Sequence, residues 1–135
     1  MTQPVTVLFA CVHNAGRSQM AAGFFNSLAN AAAARAISAG TAPAAQVHPE
    51  VISAMREVGI DLATAQPQRL TEELARGAVL LVTMGCGDEC PVVPGVSRDD
   101  WPLADPKGQS IDDVRRIRDA VRARVVALVR SRGWG

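Results

Sequence analysis

The chain passes from an apolar run, Val5-Thr6-Val7-Leu8-Phe9-Ala10, directly into Cys11-Val12-His13-Asn14-Ala15-Gly16-Arg17-Ser18. Beyond it Met20, Phe24 and Leu28 recur at four-residue spacing. This strand-to-helix switch constrains the fold more than any other feature, because a β-run followed at once by a helix is half of a parallel β-α-β unit. A second run, Ala78-Val79-Leu80-Leu81-Val82-Thr83-Met84, is continuously apolar rather than alternating, as a parallel strand covered on both faces must be. With Ala36-Ile37-Ser38-Ala39 as a further short strand, the chain reads as α/β, a central parallel sheet flanked by helices. Ligands in such folds bind beyond the carboxyl ends of the strands, and Cys11 and Cys86 both follow strands.

The loop between the first strand and helix has the composition of an oxyanion cradle. Free N–H groups at a helix start and in a concave loop carry positive partial charge, so they bind a tetrahedral anion and favour the thiolate form of a cysteine among them. Arg17 adds a planar fork able to hold two oxyanion oxygens at once. Gly16 permits close backbone approach, Asn14 tolerates a left-handed turn, and Ser18 can donate to the sulfur or cap the helix. Taken singly, a cysteine after a strand is usually a small buried hydrophobe and Arg-Ser at a helix start a cap. The agreement of strand, loop chemistry and helix favours a nucleophile site in which residues Val12, His13, Asn14, Ala15, Gly16, Arg17 and Ser18 hold the anion.

The remainder of the chain fits one domain over residues 1–135. Its 48% apolar content supports a substantial core, and its 14 basic and 13 acidic side chains nearly cancel. That balance gives no electrostatic reason to expect nucleic acid or an anionic membrane as partner. Neither a signal-type N-terminus nor a run of eighteen apolar residues occurs, so a soluble, cytoplasmic protein is expected. Residues 29–34, rich in alanine, read as a frayed helix end and a turn. His48-Pro49 opens a helix whose apolar face is Val51, Ile52, Met55 and Val58, with Gly59 as terminator and His48 as a loop or cap residue. Thr71-Glu72-Glu73-Leu74 suggests a short helix to Arg76. Ser110 caps the last helix, with Asp112 and Asp113 in its first turn and Val114, Ile117, Val121, Val125 and Leu128 as its buried stripe. Its arginines 115, 116, 118, 122, 124, 130 and 132 read as a solvated face.

Three cysteines form an odd set, which in a reducing compartment favours catalytic or metal-binding thiols over a structural disulfide framework. Cys86 and Cys90 lie in Gly85-Cys86-Gly87-Asp88-Glu89-Cys90-Pro91, whose glycines suggest a mobile, partly exposed segment. If that segment is helical, the two thiols share a face with α-carbons about 6 Å apart, within disulfide range. Cys11, His13, Cys86 and Cys90 also add up to four acceptable zinc ligands. Their spacings match no common zinc knuckle, however, and a ligated Cys11 would leave Arg17 and the loop amides without an anion. Asp105-Pro106, after Trp101-Pro102-Leu103-Ala104, places a carboxyl on a rigid turn.

Residues 11 to 18 resemble the phosphate-binding loop of the low-molecular-weight protein tyrosine phosphatase family, and the segments around Cys86 and Asp105 resemble the arsenate reductases built on that fold. The resemblance covers nearly the whole chain. It implies a four-stranded parallel sheet, Cys11 as nucleophile, Arg17 on the oxyanion and Asp105 as general acid. It also implies a Cys86/Cys90 thiol-disulfide relay reduced by an external donor, either thioredoxin or mycothiol with mycoredoxin, with no tightly bound cofactor. Phosphate and sulfate would compete with arsenate. Ala22 and Gln68 stand where many thioredoxin-coupled members have carboxylates of a potassium site, so no metal is carried over. A phosphatase acting on phosphotyrosine or small phosphate esters shares the loop and the acid. Lys107, however, stands where such phosphatases often have tyrosine, and the chain contains none. A non-catalytic oxyanion-binding or redox-sensing module is the reading from a different class.

Overall fold

The computed structural model describes residues 3–85, 90 and 92–135. Four strands, β1 (Val5–Cys11), β2 (Ala34–Gly40), β3 (Leu80–Thr83) and β4 (Ser97–Asp100), form one sheet in the order β2-β1-β3-β4 with every pairing parallel. The helices are α1 (Arg17–Leu28), α2 (Pro49–Arg56), α3 (Glu72–Arg76) and α4 (Ile111–Arg132). From β1 the chain crosses through α1 to β2 on one side, then returns past β1 to β3 on the other. The order therefore reverses between β1 and β3, the place where an open parallel sheet forms a crevice at its carboxyl end.

The two faces of the sheet are covered unequally. Val7, Phe9, Leu80 and Val82 point to the side of α1, α2 and α4, where they pack with Met20, Phe25, Val51, Met55, Val121 and Val125. Phe9 anchors this core, its ring 5.9 Å from Phe25 and 5.6 Å from Trp101. Leu8, Ala10 and Leu81 point to the other side, where Ala75, Cys90 and Val93 cover them. This two-sided burial is why the β1 and β3 segments read as continuous apolar runs. Among the described residues no helix is long and apolar enough to cross a membrane.

Several readings need correction. The fourth strand has no hydrophobic signature: Ser97-Arg98-Asp99-Asp100 is exposed throughout, because an edge strand is held by ladder bonds to β3 on one side and offers charge to solvent on the other. Val58 does not belong to the buried face of α2. That helix ends at Arg56, and Val58 is 42% exposed in the turn leading to Gly59. Arg118 is not on a solvated face either. It is 9% exposed and donates to Ala54 O, Glu57 and Asp119, tying α4 to the C-terminal end of α2. The capping reading of α4 matches the structure, with Ser110 Oγ accepting from Asp113 N.

Candidate active site

Cys11 is the last residue of β1, and Arg17 the first of α1, so the loop between them is confined to five residues. Its carbonyls are all turned outward. Cys11, Val12, His13 and Ala15 O accept from the amides of Thr41, Ala42, Ala44 and His48, which follow β2. Asn14 O accepts from Gln19 Nε2, and Gly16 O from Met20 N. With the carbonyls engaged behind the loop, its N–H groups face the opposite, concave side. Among the described residues the amides of Val12, His13, Asn14, Ala15 and Gly16 have no acceptor. Such a run of convergent donors is an anion-binding nest. Asn14 provides the reversal with φ of 50°, a conformation its short polar side chain tolerates.

The side chains complete the cradle. Cys11 is a free thiol, 2% exposed, with Ser18 Oγ 2.9 Å from its sulfur. Asn14 Nδ2 donates to the same Ser18 oxygen at 2.7 Å, so the Ser18 hydroxyl proton is available for a Cys11 thiolate. Asn14 Oδ1 in turn accepts from Gln68 N at 2.9 Å. Arg17 is 7% exposed, and its Nη1 donates to Leu103 O at 3.1 Å. Its Nε is buried and has no hydrogen-bond partner among the described residues. A buried guanidinium N–H without an acceptor is costly unless an anion supplies one. His13 lies at the rim, its Nδ1 3.3 Å from Ala42 O.

Asp105 reaches the same mouth from the segment after β4. Trp101 starts that segment, donating through its backbone to Thr83 O and through its indole to Asp99. Pro106 closes it by packing onto Gly16, where a β-carbon would come within 2.6 Å of the proline ring. Between them Asp105 lies 3.7 Å from Arg17 Nη2 and is 43% exposed, held by Lys107 N donating to its Oδ1. The carboxyl therefore stands at the solvent side of the cradle, opposite the buried sulfur.

Met84 N donates to Ala10 O, so the segment leaving β3 begins beside the loop. Cys90 is 2% exposed and disulfide-bonded, packed with Leu8 and Ala10 beneath the sheet; its sulfur is not in the exposed setting that the flanking glycines suggest. Cys86 lies outside the described residues. Gln68 donates its side-chain amide to Ser38 O, and Ala22 is buried in the core.

Two contributors escaped sequence reasoning. Gln19, 5% exposed, donates its Nε2 to Asn14 O, to Asn14 Oδ1 and to Gln66 O, and so holds the turn from behind. A polar residue one turn into a helix that starts at such a loop is a weak signal for this. Gly85, with φ of 92°, lies against the Arg17 guanidinium, and nothing in the sequence marks that contact.

Residues 6–132 match the family described as low molecular weight phosphotyrosine protein phosphatase. The chain is 35% identical over 126 residues to the glutaredoxin arsenate reductase of Synechocystis, covering 91% of this chain and 95% of that protein. It is 34% identical over 127 residues to arsenate reductase 1 of Staphylococcus epidermidis, with 91% and 94% covered. Among solved structures it is similar to a thioredoxin-dependent arsenate reductase of Corynebacterium glutamicum, with a TM-score of 0.84 and 36% identity. That match covers 96% of this chain but 62% of the other.

Proposed function

The chain belongs to the low molecular weight phosphotyrosine protein phosphatase family, and from that premise we propose that it reduces arsenate to arsenite with electrons from an external thiol donor. The observation that carries this reading is the conjunction of a free thiol in an anion cradle with a second, oxidised sulfur after the neighbouring strand. Hydrolysis of a phosphoryl-cysteine needs water alone, whereas removing oxygen from pentavalent arsenic needs two electrons. A thiol pair supplies them.

Cys11 Sγ attacks arsenic, an S–As bond forms, and one oxygen leaves as water after taking a proton from Asp105. The loop amides and Arg17 hold the remaining oxygens. Cys86 then attacks Cys11 Sγ. The S–S bond forms as the S–As bond breaks, its electron pair stays on arsenic, and arsenite departs. Cys90 displaces Cys11 from that mixed disulfide, leaving a Cys86–Cys90 disulfide and a free Cys11. The donor belongs to the thioredoxin, glutaredoxin or low-molecular-weight thiol class, consistent with the names of the relatives.

Single-turnover trapping tests the reading. Wild-type protein given arsenate should produce arsenite, and Cys90→Ser should stop after one turnover with a Cys11–Cys86 disulfide detectable in mapped digests. Cys86→Ser should stop at the arsenylated Cys11. Normal multiple turnover by Cys86→Ser with thioredoxin as the donor would show that the attacking sulfur does not come from this chain. Efficient hydrolysis of phosphotyrosine peptides without arsenate reduction would establish the phosphatase instead.

A further inference from the structure

Gly85 has no part in the chemistry above, yet it touches the group on which anion binding depends. A β-carbon at this position would collide with Arg17 Nη1 and lie 3.3 Å from Cζ and 3.5 Å from Nη2. The guanidinium thus abuts, with its Nη1 edge, the backbone of the segment that leaves β3. It has little room to retreat, because it is 7% exposed, its Nη1 is bonded to Leu103 O, and Nη2 faces Asp105. Gly85 has a φ of 92°, a backbone conformation that favours glycine independently of that contact.

We propose that Gly85 is a positioning residue for oxyanion binding: its lack of a side chain leaves the space that the Nη1 edge of the Arg17 guanidinium occupies in the cradle. Any side chain there displaces the guanidinium from the anion while leaving the loop amides and Cys11 in place. The contact also means that the arginine of the cradle is supported by the residue next to Cys86. The inference rests on the cradle reading.

Protection of Cys11 against iodoacetamide by inorganic phosphate tests it, in the full chain with its disulfide intact and the alkylated residue identified by mass spectrometry. Gly85→Ala should need about tenfold or more phosphate for half-protection, the effect of losing a charge-assisted hydrogen bond. Its alkylation rate without phosphate should match wild type. Gly95→Ala is the control for backbone strain, since Gly95 has φ of 83° and nothing within 4 Å of an added β-carbon; it should protect like wild type. A double-mutant cycle separates position from stability: in an Arg17→Lys background, Gly85→Ala should cost little further affinity. Wild-type protection in Gly85→Ala, equal loss in Gly95→Ala, additive loss in the double variant, or collapse of the fold in Gly85→Ala would each overturn the proposal. Failure of phosphate to protect the wild-type protein would instead overturn the cradle itself.

Discussion

Arg17 concentrates the electrostatic problem of the site in one side chain. Its charge is withdrawn from water, one nitrogen is bonded to Leu103 O, a second stands 3.7 Å from Asp105, and Nε has no acceptor among the described residues. An oxyanion meets that deficit with two parallel acceptors, which a guanidinium can use and an ammonium cannot. Arg17→Lys is therefore expected to stay folded but lose activity by about a hundredfold, comparable to removing one donor from an oxyanion site. Arsenite production at saturating arsenate measures it, and near-normal turnover would remove the fork from the mechanism. Gln19 acts at the same scale from behind the loop. Three acceptors converge on its Nε2, two of them on Asn14, so the left-handed turn is held by a side chain rather than by strand pairing.

Among the elements, the segment from Trp101 to Pro106 is the one whose rigidity decides a chemical role. It is pinned at one end by Trp101, through its bond to Thr83 O and its packing on Phe9, and at the other by Pro106 on Gly16. Asp105 between these anchors is half-exposed, while Cys11 at the bottom is buried. Asp105→Asn should slow the first, oxygen-losing step by about a hundredfold or more, the usual worth of a general acid. Phosphate should protect Cys11 in that variant as in wild type, because the anion's donors are the loop amides and Arg17. Unchanged single-turnover rates would assign the proton to another group.

For the whole molecule, the charge cluster joining α2 to α4 couples stability to pH. Glu57 receives hydrogen bonds from Arg115 and Arg118, and these, Arg115 foremost, hold its carboxyl down at about 2 from an ordinary 4.5. A carboxyl depressed in the folded state stabilises above its unfolded value and loses that contribution as pH falls toward its folded value. Wild type should therefore resist denaturant better than Glu57→Gln near neutrality. The gap between their unfolding midpoints should close as pH falls from about 4.5 toward 2. A gap that persists undiminished across that window would mean that Glu57 acts through packing and not through its charge.

The amino-acid order alone determined the features that rest on local physics. Residues 5–18 carry their own strand, reversal and helix start, and the cradle follows from them because loop amides, Asn14 and Arg17 are neighbours in the chain. The Ser110 cap and the buried stripe of α4 are legible for the same reason. Tertiary structure decided whatever depends on residues far apart in sequence. Strand β4 exists because β3 offers it a ladder, not because Ser97-Arg98-Asp99-Asp100 prefers to be extended. Arg118 is drawn inward by Ala54 and Glu57 of another helix, so its place in a run of arginines conceals its environment. The support of Arg17 by Gly85, and of the loop carbonyls by residues 41–48, arises only when the sheet sets the ends of β1, β2 and β3 side by side. Such contacts are made by backbone atoms common to every residue, so the identities along the chain do not announce them.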